Sequence, residues 1–456
     1  MAKKKQIELT IEEKLQNALV PKEEQPYKIP SNWCWSYWKY CGKFIAGNGF
    51  KNIYQGFTQY DIPYYKVGSL KFCDEGNYLI DETNTINEEI RTKLKAVKIP
   101  VNSIIFAKIG EAIKLNRRCL NKIECCIDNN LMAFISEKYF YKYIFYWTKS
   151  LNFYELTNAT TVPALRKTDL ENIPIPLPPL NEQQRIVNRI ESLFAKLDRA
   201  KELIENTLAQ FEQNKMAILH KAFTGELTAR WRKENNIDLS SWQEKTIDEL
   251  CTSLKYGTSK KSKPEGSVVV LRMGNLQNGE IDWSNLMYTD DKDDIEKYLL
   301  KKGDVLFNRT NSPELVGKTS IYRGEYPAIY AGYLIKLDYG KDIIGEYLNY
   351  MMNSTKAKHY CYTVKTDGVS QSNINAKKIG AFEIPVPTIE EQQEIVNILD
   401  KLLAKYNKIK NLEQQLEKIE LLKKAILAKA FRGELGTNNT DEESAENLLK
   451  EILAEK

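Results

Sequence analysis

Residues 175–188 read Ile-Pro-Leu-Pro-Pro-Leu-Asn-Glu-Gln-Gln-Arg-Ile-Val-Asn, and residues 384–397 read Ile-Pro-Val-Pro-Thr-Ile-Glu-Glu-Gln-Gln-Glu-Ile-Val-Asn. Nine of these 14 positions are identical at an offset of 209 residues. Farther along, 216–227 (Met-Ala-Ile-Leu-His-Lys-Ala-Phe-Thr-Gly-Glu-Leu) and 424–435 (Lys-Ala-Ile-Leu-Ala-Lys-Ala-Phe-Arg-Gly-Glu-Leu) agree at nine of 12 positions, now at an offset of 208. Chance would give roughly one match, so the chain is an internal duplication with one residue deleted in its second copy.

Between the matched blocks each copy reads as one long helix. Ile186, Ile190, Leu193, Leu197, Ala200 and Ile204 step by four and three, a heptad seam, and Ile395, Leu399, Leu402, Tyr406 and Ile409 repeat the steps. Leu208, Phe211 and Ile218 continue the first seam, and Leu412, Leu416 and Ile419 follow the second after a three-residue slip. About 40 residues of helix make a rod of roughly 60 Å. Prolines at 174, 176, 178 and 179 and at 385 and 387 bar a helix on the upstream side. Asn181 and Thr388 or Glu390 are candidate N-caps, and Gly225 and Gly433 candidate stops. Two heptad seams predict an antiparallel helix pair, with the segment Ile11–Leu19 packed near the C-terminal end.

Outward from the rods lie two blocks of short β-rich runs and turns, such as Ser103-Ile-Ile-Phe-Ala-Lys and Asp304-Val-Leu-Phe-Asn-Arg. Trp33 pairs with Trp242 at 209 and Ile104–Lys108 with Val305–Arg309 at 201, while the loops do not match. The fold expected is a mixed α/β chain: two pseudo-repeated α+β domains, 29–179 and 242–387, joined by long antiparallel coiled-coil helices, 180–225 and 388–435. A helical segment (1–28), a linker (226–241) and a C-terminal helical segment (436–456) complete it. Hydrophobic residues make up 42% and aromatics 11% of the 456 residues, enough for real cores. With 66 Lys and Arg against 61 Asp and Glu, the net charge of +5 confines any nucleic-acid surface to a local patch.

The second block carries such a patch. Tyr256-Gly-Thr-Ser-Lys-Lys is a turn with an aromatic ring, hydroxyls and two ammonium groups; Arg272 and Asn275, then Arg309 and Asn311, end strands, and Gly368-Val-Ser-Gln-Ser is a polar loop. Planar groups with paired donors suit base edges, so Arg272, Asn275, Arg309, Asn311 and Gln371 are the candidate base readers, with Tyr256 and Thr258 beside them. Lys260, Lys261 and Lys318 suit phosphates. In the first block the counterparts are Gly49-Phe-Lys, Lys66, Lys108, Lys114, Arg117, Arg118 and Thr160-Thr161.

Signals of catalysis fail on inspection. Val316-Gly-Lys-Thr lacks the glycine five residues before Gly317, where Ser312 stands, so it is no phosphate-binding loop. No Gly-rich cofactor loop or Asn/Asp-Pro-Pro-aromatic motif for base methylation occurs; the only Pro-Pro is Pro178-Pro179. Two His, 220 and 359, and eight Cys without a C-x-x-C pair argue against a zinc site or a disulfide framework. Acidic runs such as Asp290-Asp-Lys-Asp-Asp read as solvated faces. No catalytic or metal-binding residue is expected. The Met1-Ala-Lys-Lys-Lys start has no apolar core behind it, and no run approaches 18 apolar residues; a soluble cytoplasmic protein is expected.

The Pro-x-Pro-x-x-x-Glu-Gln-Gln junctions from Pro176 and Pro385, the Ala-Phe-x-Gly-Glu-Leu ends at Ala222 and Ala430, the Tyr256-Gly-Thr and Leu271-Arg-Met-Gly-Asn pattern, and the Ala18-Leu-Val-Pro-Lys segment before Trp33 occur in a telling order. In them the chain resembles the DNA-specificity subunits of Type I restriction-modification systems. The resemblance implies a non-catalytic subunit with two target-recognition domains, each reading half of a split double-stranded DNA site. The helices would fix the spacer and dock two adenine methyltransferase subunits that carry S-adenosylmethionine. Restriction/translocase subunits using ATP and magnesium would join them. The first domain's opening, Gly47-Asn-Gly-Phe-Lys, departs from the Tyr-Gly-Thr pattern of the second. Two alternatives remain at this stage: a coiled-coil scaffold pairing two protein-binding domains, and the specificity subunit of a related system with methylation and cleavage in one partner chain.

Overall fold

The computed structural model describes residues 10–137, 139–157, 162–404 and 409–455. It divides into two units, Met1–Glu202 with Gln414–Lys456, and Leu203–Glu413. Tyr406 of the second seam and the basic start of the chain fall outside the described residues.

In the first unit, Gly42–Ala46, Leu131–Ser136, Ile104–Ala107 and Arg118–Leu120 form an antiparallel sheet in that spatial order. Ile104–Ala107 is buried along its whole length, as an unbroken apolar run must be, and takes an inner place. A second sheet sets Ile62–Tyr65 between Thr85–Ile86 and, in parallel, Cys126–Ile127. Cys34–Tyr37 pairs with Pro174–Leu177 just before the first rod. Trp38 is the hub of the core, its ring 4.7 Å from Phe44 and 5.0 Å from both Phe134 and Trp147.

The second unit repeats this plan. Cys251–Tyr256, Leu334–Tyr339, Val305–Asn308 and Thr319–Ile321 form the antiparallel sheet; Val268–Leu271 lies between Tyr288–Thr289 and, in parallel, Ala328–Tyr330; Gln243–Thr246 pairs with Glu383–Val386. One further sheet orders Thr310–Asn311, Ser372–Asn373 and Thr366–Asp367.

The first rod is a single helix, Leu180–Phe223, 44 residues or about 66 Å long. The second comprises Ile389–Ala404 and Ile409–Phe431. Within the first unit the rods run antiparallel: Lys423 bonds Asp198 at 2.5 Å and Lys201 faces Glu420 at 3.8 Å, while Ile186 and Ile190 share a core with Leu427, Ala430 and Phe431. Asn181 proves to lie inside the first helical turn, which begins at Leu180; Thr388 does cap the second rod, accepting from Glu391 N at 3.4 Å. Gly225 (φ +82°) and Gly433 (φ +75°) follow the rod ends in the left-handed region.

The twice-written Glu-Gln-Gln motif is what roots each rod. Glu182 and Glu391 are fully buried, and each accepts the indole N–H of the tryptophan 149 residues before it: Trp33 at 2.8 Å, Trp242 at 2.9 Å. Gln183 and Gln392 donate to Pro178 O and Pro387 O and accept Phe140 N and Ile344 N. Tyr143 and Tyr347 donate to Pro176 O and Pro385 O, both at 2.7 Å, and their rings meet Phe431 and Phe223 of the arriving rod ends edge-on. Residues 226–241, expected as a linker, include the helix Ala229–Glu234, whose buried Arg232 bonds Glu391 at 2.6 Å. In the first unit the corresponding partners of Glu182 are neutral, Asn438 at 2.9 Å and Thr437 at 3.4 Å.

Helix Ile11–Ala18, capped by Thr10, packs on Ala445–Ala454: Leu15 and Ala18 share the core with Leu449, Ile452 and Leu453. Among the described residues no helix is long and apolar enough to cross a membrane.

Candidate nucleic-acid interface

In the second unit four chain segments meet where strands end. Thr258 N donates to Tyr330 O at 2.9 Å, Gly332 N to Thr258 O at 2.7 Å, Ala331 N to Leu271 O at 3.0 Å and Arg309 N to Tyr333 O at 3.1 Å. These bonds bring the ends of Cys251–Tyr256, Val268–Leu271 and Val305–Asn308 around the 331–333 turn. Gly257 must lack a side chain there, because a Cβ would sit 2.1 Å from Tyr330 O. The segments present Tyr256, Arg272 and Arg309 together. Arg309 lies 4.9 Å over the Tyr256 ring, a cation–π stack, and the Tyr256 hydroxyl accepts from Ala376 N at 2.9 Å, which holds the platform. Arg309 reaches Asn373 Oδ1 at 3.3 Å and Gly332 O at 3.5 Å, and Arg272 reaches Asn285 at 3.1 Å. The Arg309 bonds lie near the long limit, and the Arg272 bonds engage one nitrogen of its guanidinium, so both arginines keep donors for an incoming acceptor. Lys318 donates to Gln277 at 2.9 Å, and Gln277 to Gly274 O of the turn after Arg272; burial holds the ammonium below the usual lysine range. Asn311 and Gln371 belong to the small sheet beside Arg309, Asn311 in a paired strand and Gln371 exposed in the turn of its hairpin.

The first unit builds a matching edge with three corresponding bonds. Asn48 N donates to Ile127 O at 3.0 Å, Asp128 N to Tyr65 O at 3.0 Å and Lys108 N to Asn130 O at 2.9 Å. Leu165 N to Lys108 O at 2.8 Å matches Ile374 N to Arg309 O at 2.9 Å. Gly47 stands where Gly257 stands, since its Cβ would meet Asp128 O at 2.0 Å. Ala46 thus replaces Tyr256, Lys66 replaces Arg272 and Lys108 replaces Arg309. Lys66 donates to Gln55 at 2.7 Å, and its backbone N–H bonds Ser69, as that of Arg272 bonds Asn275. Among the described residues no ring underlies Lys108, so the first edge has amines where the second has stacked, forked donors.

Several candidates are placed differently from what their sequence suggests. Arg118 is 2% exposed: it stacks 3.8 Å over Phe153 and donates to Leu151 O at 2.8 Å, and burial lowers its pKa to about 9, which leaves it cationic at neutral pH. Its neighbour Arg117 is exposed. Asn275 is 3% exposed and satisfied by Arg272 N, Asp282 O and Asn285 O, so it shapes the turn. Thr258 is buried, donates its hydroxyl to Asp294 and accepts Lys260 N at 3.0 Å. Lys260 pairs with Asp291 at 2.7 Å, Lys114 with Glu111 at 2.6 Å, and Lys51 and Lys261 are exposed. Thr160 and Thr161 lie outside the described residues. Sequence reasoning missed Asn373, which orients Arg309 and bonds Thr310 at 2.8 Å; it stands opposite Thr310 in a ladder between segments 63 residues apart, a pairing that no local pattern states. Among the described residues no group of His, Cys, Asp and Glu could hold a metal ion.

Comparison with known proteins gives a consistent answer. The family model described as "Type I restriction modification DNA specificity domain" matches residues 52–210 and again 240–421. The EcoKI specificity subunit of Escherichia coli K12 is 29% identical over 317 residues, covering 66% of this chain and 68% of that one. The StySPI specificity subunit of Salmonella potsdam is 28% identical over 335 residues, covering 69% and 71%. A solved chain from work on complex assembly and conformational transition of the type I R-M system shares the fold, with a TM-score of 0.65 at 18% identity over 90% of this chain and 100% of that one.

Proposed function

The chain belongs to the Type I restriction-modification DNA specificity family, and from that premise we propose that each unit reads one half of a split, asymmetric DNA site through its strand-end edge. The chain is a specificity subunit, the non-catalytic recognition component of a restriction-modification complex. The observation that carries the proposal for the edges is the pair of matched backbone frameworks, which hold Tyr256, Arg272 and Arg309 in one unit and Ala46, Lys66 and Lys108 in the other. Similar frames with different side chains give two half-sites of different sequence. A guanidinium that is aimed but unsaturated suits the paired acceptors of guanine, and exposed lysines such as Lys261 suit phosphates. Lys318, Asn311 and Gln371 complete the DNA-facing side of the second unit; Arg118 does not join that of the first, because its side chain is buried.

The rods are the docking surface for two adenine methyltransferase subunits, which bring S-adenosylmethionine, and restriction subunits using ATP and magnesium join that assembly in the cytoplasm. The rods also set the spacer between the half-sites. Methylome sequencing of the host tests the reading: a split motif with modified adenine in both halves is expected, and a continuous or perfectly palindromic motif contradicts it. A gel shift at two salt concentrations separates it from a protein scaffold, since phosphate contacts make affinity fall steeply with salt.

A further inference from the structure

The small sheet beside Arg309 ends in a hairpin with an unusual tip. Thr366 pairs with Asn373 and Asp367 with Ser372, and Gly368 N donates to Gln371 O at 2.8 Å to close the turn. The stem is fastened from both sides: Lys365 bonds both oxygens of Asp367 at 2.5 and 2.7 Å, Ser372 donates its hydroxyl to the same carboxylate, and Lys378 reaches Thr366 at 2.7 Å. The one apolar residue of the turn, Val369, is 109% exposed. A lone exposed valine on a loose loop would mean nothing. Here a pinned stem holds it out, and the base of that stem is Asn373, the partner of Arg309.

Geometry and chemistry together narrow what Val369 meets. A two-stranded ribbon fits the major groove, about 12 Å wide. Three residues beyond the Thr366 pair, at about 3.3 Å each, put the tip roughly 10 Å from Asn373, comparable to that groove's depth of about 8.5 Å. The Asp367 charge is already matched by Lys365, so the ribbon brings no bare carboxylate toward phosphates. Among the base edges of that groove the one apolar group is the thymine 5-methyl. Resting on the DNA-reading function proposed above, we infer that the 366–373 hairpin enters the major groove and that Val369 reads a thymine methyl in the half-site of the second unit.

The experiment uses the full chain with its methyltransferase partners and a duplex carrying the motif found by methylome sequencing. Thymidines are replaced singly by deoxyuridine, which removes only the methyl group. Wild-type protein should lose about fourfold in affinity at one position of one half-site, the loss expected for one buried methyl. Val369→Ala should bind the parent duplex about fourfold more weakly and be indifferent to deoxyuridine at that position. The inference is overturned if wild type tolerates every replacement, if Val369→Ala keeps the wild-type sensitivity, or if Val369→Ala weakens unrelated duplexes equally or impairs only partner binding. If wild type shows no preference for the motif over unrelated DNA, the DNA-reading function itself fails, a result distinct from these.

Discussion

The two units share a frame and differ in what hangs on it. Gly47 and Gly257 make the same close approach to a carbonyl, and Lys108 N and Arg309 N donate to equivalent turns, yet one edge carries an alanine and amines where the other carries a tyrosine under an arginine. The rod sockets show a parallel contrast. Glu182 and Glu391 accept the same kind of indole bond, but Arg232 neutralises only the second. Backbone contacts are thus copied while the chemistry around them changes, provided that no copied position needs a side chain in the close approach.

The largest difference between the units is expected at the sockets. Arg232→Ala leaves the Glu391 carboxylate buried without its cation and should destabilise the second unit by about 3–5 kcal/mol. Asn438→Ala in the first unit removes one neutral partner and should cost about 1 kcal/mol. Denaturant unfolding of both variants, with hydrogen exchange to locate the loss, measures the asymmetry. Next come the glycines. Gly47→Ala and Gly257→Ala each push a methyl into backbone and should cost about 1–3 kcal/mol, or more because neither neighbour is a flexible side chain. Each should abolish recognition of only one half-site, and duplexes randomised in one half at a time read this out.

The edges are sharpened by smaller effects. Arg309→Ala should cost on the order of 1–3 kcal/mol and relax one position of its half-site, seen across a set of single-base variants. Lys261→Ala should weaken all sequences alike and lower the salt slope by about one. The least is a pH effect. Burial raises the Glu182 pKa above 4.5, so the folded chain holds this proton more tightly than the unfolded one, and stability falls as pH rises from 4.5 through the raised value. Glu182→Gln should flatten the unfolding midpoint over that window, whereas an unchanged slope would place its origin elsewhere.

The seams and sockets were legible because they repeat at a fixed offset: Trp33 with Trp242, and Glu182 with Glu391, stand 209 residues apart. Their roles were not, because burial of a glutamate is a tertiary fact that no local pattern states. The likeness of Gly47 to Gly257 was hidden behind unlike neighbours, and only the shared contact with a carbonyl reveals it. Arg118 was misplaced although a signal existed: it begins the strand Arg118–Leu120, and where a paired strand starts, adjacent residues such as Arg117 and Arg118 cannot both face solvent. Asn275 and Thr258 were named for their chemistry, which internal bonds take up: the turn after Arg272 for Asn275, Asp294 and Lys260 N for Thr258.

The first unit is assembled from two separate stretches of the chain, Met1–Glu202 and Gln414–Lys456. Its core joins Trp38 and Phe134 to Leu427, Phe431 and Leu449, which are separated from the opening segment by all 211 residues of Leu203–Glu413. At about 5–20 residues per second, a ribosome needs roughly 10–40 s to make that stretch. The second unit, by contrast, is contiguous. The earlier-made sheet must therefore wait, its socket for Phe431 open to water, while the later-made one closes, so nascent chains halted before residue 414 should depend on chaperones for their first half and not for their second.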